Sequence, residues 1–116
     1  MMSTHYMHTI DVAHPRRPPK QVEEELDAVL SKVRSHSTLR AVKVIHGYGS
    51  SGKGGATKET VKNWAYQRRR HLRATIDGEE YDLFNDDTQE MRNECGQMED
   101  PDLGAGNPGV TILWVK

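Results

Sequence analysis

Between Val44 and Gly55 the chain reads VIHGYGSSGKGG: a short apolar run, then His46, then five glycines and a single lysine, Lys53. Glycines at this density let a backbone turn sharply and approach a ligand closely, and a lysine among them is a mobile cation, so phosphate is the chemistry the stretch suits. Three parses compete. Gly47, Gly49 and Gly52 satisfy the dinucleotide pattern G-x-G-x-x-G, with Asp77 ending the next strand where a ribose-binding acid would lie. Against it, Gly54 and Gly55 push the expected helix start to about Thr57, and too little chain remains for a dinucleotide fold. Gly47, Gly52 and Lys53 satisfy G-x-x-x-x-G-K, but Gly54 stands where a nucleotide-phosphate loop needs a magnesium-binding hydroxyl. The parse that uses every residue starts at the histidine. It is H-G-x-G at the carboxyl end of an internal strand, where open α/β sheets place their ligands.

The elements that must position this loop follow from periodicity. YMHTIDVA, residues 6 to 13, reads as a first strand, ended by the prolines of HPRRPP. Val22, Leu26, Val29, Leu30 and Val33 form one helical stripe over about residues 20 to 35, with Glu23, Glu24, Glu25 and Asp27 near the favourable end of the helix dipole. LRAVKVIH, residues 39 to 46, carries apolar side chains on both faces, as an internal strand does. Val61, Trp64, Ala65 and Leu72 mark a second helix, with Thr57 as its expected N-cap and QRRRH at its end. RATID, residues 73 to 77, and GVTILWVK, residues 109 to 116, complete the strands. Between them lies a polar stretch with a short helix expected near residues 87 to 95, closed by Gly96. The expectation is an α/β chain, β-α-β-α-β-β, with a mixed four-stranded sheet and two helices in a two-layer sandwich. It forms one domain with its core at about 6–77 and 109–115 and a long acidic insert at 78–108.

The 116 residues suit one domain, and an apolar content of only 34% points to a small core with long polar loops. No apolar run approaches a membrane span or a signal peptide, and the single Cys95 has no partner within the chain, so a soluble, cytoplasmic protein is expected. The net charge of −1 hides an asymmetry: residues 1 to 78 carry 14 Lys/Arg against 7 Asp/Glu, whereas residues 79 to 116 carry 2 against 10. A basic body suits a phosphate-bearing partner, and the acidic stretch would shield it, bind a protein partner or keep the chain in solution.

VIHGYG, following an amphipathic helix that itself follows IDVAH, with GVTILWVK as the closing strand, resembles the Smr (small MutS-related) domain. The marks of that family are L-D-x-H on the first strand, H-G-x-G after the second and G-x-T-x-hydrophobic on the last. The resemblance covers roughly residues 9 to 76 and 109 to 115. It implies a sandwich similar to the C-terminal domain of translation initiation factor three and to the nuclease core of the DNase I type, nucleic-acid binding, and in several members endonucleolytic cutting of DNA or RNA. Asp11 then matches the acid of L-D-x-H, and His46, Gly47 and Gly49 match H-G-x-G. Ala13 stands where the family has its histidine, and His14 follows one place later, so strand alternation points His14 away from Asp11 unless a bulge before Pro15 turns it back.

On this reading the candidate catalytic residues are Asp11, His14 and His46. Asp11 would orient or activate water and His46 would carry a proton to the leaving oxygen, with Lys53 stabilising the charge that develops. A lone histidine also serves simply to close a strand end by hydrogen bonding, and that alternative stays open for His46. Candidate nucleic-acid contacts are Gly47, Tyr48, Gly49 and Lys53 of the loop, with Arg16, Arg17, Arg68, Arg69 and Arg70 as a phosphate-contacting track beside it. Tyr48 at the loop tip would stack on an unpaired base. Magnesium or manganese would suit such chemistry, but the spacing of His5, His8, His14, His46 and Asp11 defines no metal ligand set. The expected partners are DNA or RNA, single-stranded or branched, and a protein at the acidic insert.

Overall fold

The structure, a computed structural model, describes residues 5 to 48 and 53 to 116, with the side chains of residues 53 and 54 outside the described set. The elements are β1 (Met7–Asp11), α1 (Pro19–Ser35), β2 (Ala41–Ile45), α2 (Lys53–Gln67), β3 (Leu72–Asp77), α3 (Asp86–Cys95) and β4 (Val110–Val115), with 3-10 turns at Arg69–His71 and Gly78–Glu80. The four strands form one sheet in the order β1-β2-β4-β3. β1 and β2 are parallel, with Asp11 opposite Ile45, and β4 runs antiparallel to both β2 and β3. The mixed four-stranded sheet and its two long helices are as the pattern predicts.

Alternation along β2 sorts its side chains between two cores. Val42 and Val44 join Val22, Leu26, Leu30 and Val33 of α1 and Val61, Trp64 and Ala65 of α2 on one face. Ala41 faces the other way, into a second core of Tyr6, Met7, Ile76, Ile112, Trp114 and, from the insert, Tyr81, Met91 and Met98. Residues 78 to 108 are therefore not an appendage on a two-layer sandwich. They contribute α3 and cover the sheet face that the long helices leave bare.

Four local expectations need correction. Leu72, expected on the second helix, opens β3, because α2 stops at Gln67 and a 3-10 turn at Arg69–His71 leads into the strand. α2 begins at Lys53 rather than near Thr57, so Gly54 and Gly55 lie in its first turn and Thr57 is buried within it. A side chain at residue 55 would meet the Tyr48 carbonyl at 3.5 Å, so this glycine sits close against the preceding loop. α1 starts at Pro19, which leaves no acid in its first turn. Its acids find side-chain partners instead: Glu25 accepts from Arg17, and Asp27 accepts from Trp64 and Arg68. β1 ends at Asp11, two residues early, because the chain turns there. α3 starts where Asn85 accepts the Thr88 N–H at 2.9 Å and ends at Gly96, whose φ of 136° suits glycine.

Candidate functional site

The turn after β1 settles where His14 points. The Asp11 carboxylate accepts the N–H of Ala13 at 2.8 Å and of His14 at 3.0 Å, which folds the chain back on itself directly after the strand. The His14 ring is thereby carried onto Asp11, with Nδ1 at 2.9 Å from Oδ2 and 3.1 Å from Oδ1. Strand alternation, which would part the two side chains, stops applying at Asp11. Burial raises the Asp11 pKa, but the Ala13 N–H, the His14 ring and the His14 N–H outweigh it and hold the carboxyl below its ordinary value. Such a carboxylate is a weak base and a good orienter. Nδ1 is committed to Asp11, the His14 side chain is 72% exposed, and no described residue hydrogen-bonds its Nε2.

His46 is in the opposite condition. It is fully buried, its Nδ1–H donates to the Gly47 carbonyl at 2.6 Å, and its Nε2 accepts the Thr111 hydroxyl at 2.8 Å. Burial is the main influence on its pKa and pushes it below the ordinary histidine value. The ring is a neutral tie between β2 and β4, with neither nitrogen open to a substrate in this arrangement. The backbone repeats the tie: the N–H groups of His46 and Gly47 both donate to the Gly109 carbonyl, at 2.9 and 3.0 Å. The Gly47 N–H is thus unavailable to a phosphate. Gly47 has a φ of +68°, a conformation side chains resist, and its Cα lies beside Gly109 and the Asp11–His14 turn. Tyr48 follows, 56% exposed. Gly49 lies outside the described residues, as does the Lys53 side chain.

The cations sort into two groups that the molecule keeps apart. Arg16 is exposed next to the turn. Arg17 is largely committed: it donates to the carbonyls of Asp11 and Pro15 and pairs with Glu25 at 2.7 Å. Lys58 of α2, which donates to the Pro108 carbonyl at 3.0 Å and lies 3.6 Å from Glu79, flanks the loop from the other side. Arg68, Arg69 and Arg70 are not brought to this end. They follow the last turn of α2, about 22 Å along the helix axis from its start. Arg68 pairs with Asp27 at 3.0 Å, and Arg69 donates to the Tyr66 carbonyl.

Thr111, Gly109 and Lys58 shape this end of the sheet without having been singled out as site residues. The sequence signal for Gly109 and Thr111 was the G-x-T-x-hydrophobic pattern of the closing strand, which marked the strand and gave neither residue a role. Among the described residues no three His, Cys, Asp or Glu side chains gather to hold a metal, and no helix is long and apolar enough to cross a membrane.

No family model and no curated protein matches the chain. The crystal structure of the Smr domain of Thermus thermophilus MutS2 does match it, with a TM-score of 0.55 over 97% of this chain and 99% of that one, at 17% identity. The chain has an Smr-like fold. Of the histidines after the two parallel strands of this Smr-like chain, His14 is exposed on a carboxylate after β1, and His46 is sealed between Gly47 and Thr111 after β2.

Proposed function

We propose that the chain is a nucleic-acid-binding domain that cleaves phosphodiester bonds with the Asp11–His14 pair. The observation that carries the reading is the exposed His14 ring held on a carboxylate, beside a glycine turn at the carboxyl ends of two parallel strands. Carboxylate, imidazole and attacking hydroxyl are the recurrent order of an activated nucleophile. With Nδ1–H held by Asp11, Nε2 takes the proton of the attacking water or sugar hydroxyl, and the carboxylate stabilises the imidazolium so formed. The proton then passes to the departing oxygen. His46 acts here as a positioning residue for the loop, and Tyr48 as the base-stacking group. Arg16 and the loop lysine Lys53 meet the phosphate. The chain works in the cytoplasm, with Cys95 reduced.

Leu83 and Phe84, 56% and 91% exposed on the acidic insert, favour a second reading in which a protein partner docks there.

The test is binding and cleavage of labelled single-stranded RNA, duplex DNA and branched DNA, with and without magnesium or manganese. Wild type is compared with Asp11→Asn, His14→Ala and His46→Ala. Cleavage lost in the first two variants while binding persists is the expected result. Binding without cleavage by wild type leaves a nucleic-acid-binding module, and no binding at low salt defeats the reading.

A further inference from the structure

Among the described residues, a second concentration of unneutralised positive charge lies away from the Asp11–His14 pair, at the other end of the sheet. Three chain segments converge there. α1 ends with Arg34 in its last turn, α2 is followed by Arg69, Arg70 and His71, and the Lys116 N–H donates to the His71 carbonyl at 3.0 Å, which brings the end of the last strand alongside. Arg34, Arg70 and Lys116 are exposed, and no described carboxylate lies within ion-pair distance of any of them. At the loop end Arg16 and Lys20 are likewise exposed and in no ion pair, while Arg17, Lys58 and Lys62 are matched by Glu25, Glu79 and Asp77. The crowding is also felt by His71, whose pKa is lowered by desolvation and then by Arg34, Arg70, Arg68 and Lys116. Helix dipoles account for cations after α1 and α2 but not for Lys116 at a strand end.

A flat platform adjoins these charges. The Arg69 guanidinium lies 4.0 Å over the ring of Tyr66, which is itself 66% exposed. Aromatic and guanidinium planes of this kind take the face of any unpaired base, and the cations beside them take phosphates. An anionic membrane would need apolar side chains to embed. Of the large exposed apolar residues, Tyr48, Tyr66, Leu83 and Phe84, Tyr66 alone is at this end.

We propose that Arg34, Arg69, Arg70, Lys116 and Tyr66 form a second, non-catalytic nucleic-acid-binding surface that grips the backbone at the far end of α2, a helix about 22 Å long, from the reacting pair. It rests on the nucleic-acid part of the functional reading and is independent of cleavage. A strand engaged at both ends would be measured out along the helix face of the molecule.

The experiment is fluorescence anisotropy of a labelled 24-nucleotide single strand titrated across salt concentrations. It compares wild type, Arg34→Ala/Arg70→Ala/Lys116→Ala and its all-lysine counterpart at Arg34 and Arg70, each checked for an unchanged melting temperature. Loss of three backbone contacts flattens the slope of log affinity on log salt by about 2. The alanine variant should show that change and the lysine variant, which keeps all three charges, should keep the wild-type slope. Tyr66→Ala should weaken binding without changing the slope. An alanine variant that binds with wild-type affinity and slope overturns the proposal while leaving the catalytic reading to its own variants. A flattened slope in a chain that cuts nothing upholds it and removes the catalytic reading. Wild type that binds phosphatidylserine vesicles and no nucleic acid overturns it as well.

Discussion

His46 stores a pH dependence in one side chain. Its neutral ring is buried between the Gly47 carbonyl and the Thr111 hydroxyl, and its pKa is lowered, chiefly by burial. The unfolded chain, with an ordinary histidine near 6.5, takes up the proton first, so the native state is favoured above that pH and loses ground as pH falls through the lowered value. Thermal melting followed from pH 7 to pH 5 should show that loss, and His46→Gln should flatten it over the same window. An unchanged slope in the variant would mean the ring is not sealed. Asp11, also lowered, acts only below about 3.8, so the two contributions separate on the pH axis. Gly47, at a φ of +68°, makes a parallel case: Gly47→Ala should cost about 1–2 kcal/mol in chemical denaturation through strain alone. As residue types, Asp11, His14 and His46 were legible in the sequence. Their conditions were not, because the Thr111 that seals His46 is 65 residues away, and a two-residue turn rather than strand alternation decides where His14 points.

The insert is fastened to the sheet by a few specific contacts. Lys43 of β2, 7% exposed, reaches Asp100 and Asp102, the latter at 2.8 Å. Asp100 also accepts the Tyr81 hydroxyl at 3.0 Å, and Asp102 accepts from the Asn107 side-chain amide, whose Oδ1 accepts the Gly109 N–H. The clamp therefore runs on to the residue that supports His46 and Gly47. Burial lowers the Lys43 pKa, but the two carboxylates outweigh it and raise it, so the charged pair persists at neutral pH. Lys43→Ala leaves two carboxylates without their cation and should cost about 3–5 kcal/mol in urea unfolding. Gly78 closes the other end of the insert. A methyl group there would sit 1.9 Å from the Asn107 carbonyl oxygen and 2.8 Å from Val110, so Gly78→Ala should cost upwards of about 2 kcal/mol by the same measurement. Neither device shows in a sequence window: Lys43 reads as an ordinary break in an apolar strand, and its partners lie 57 and 59 residues on. The strands and long helices were legible because period 2 and period 3.6 repeat locally. The start of α2 was missed because glycines usually mark its absence.

At the scale of the whole molecule, the sheet is buried on both faces, and only one of its covers was visible as an apolar stripe. The other cover hangs on three buried side chains, Tyr81, Met91 and Met98, dispersed in an acidic segment whose composition resembles a solvated loop. Each buried side chain of this size contributes about 1.5–3 kcal/mol, and removing the segment would also expose Ile112 and Trp114, against a typical total stability of about 5–15 kcal/mol. Deleting residues 79 to 106 should therefore abolish cooperative unfolding, which makes deletion useless for asking whether the acids shield the basic surface. Substitution separates the two roles. Glu80, Asp86, Asp87, Glu90 and Glu99 are exposed and pair with no described cation, unlike Asp100 and Asp102. Neutralising those five to Gln or Asn leaves the clamp and the second core in place while removing half of the insert's ten negative charges. If the acidic face repels nucleic acid through space, stopped-flow association at low salt should accelerate and the difference should vanish near 0.5 M salt, where charges separated by more than about 5 Å are screened. If the association rate is unchanged at every salt concentration, the acids have no part in steering.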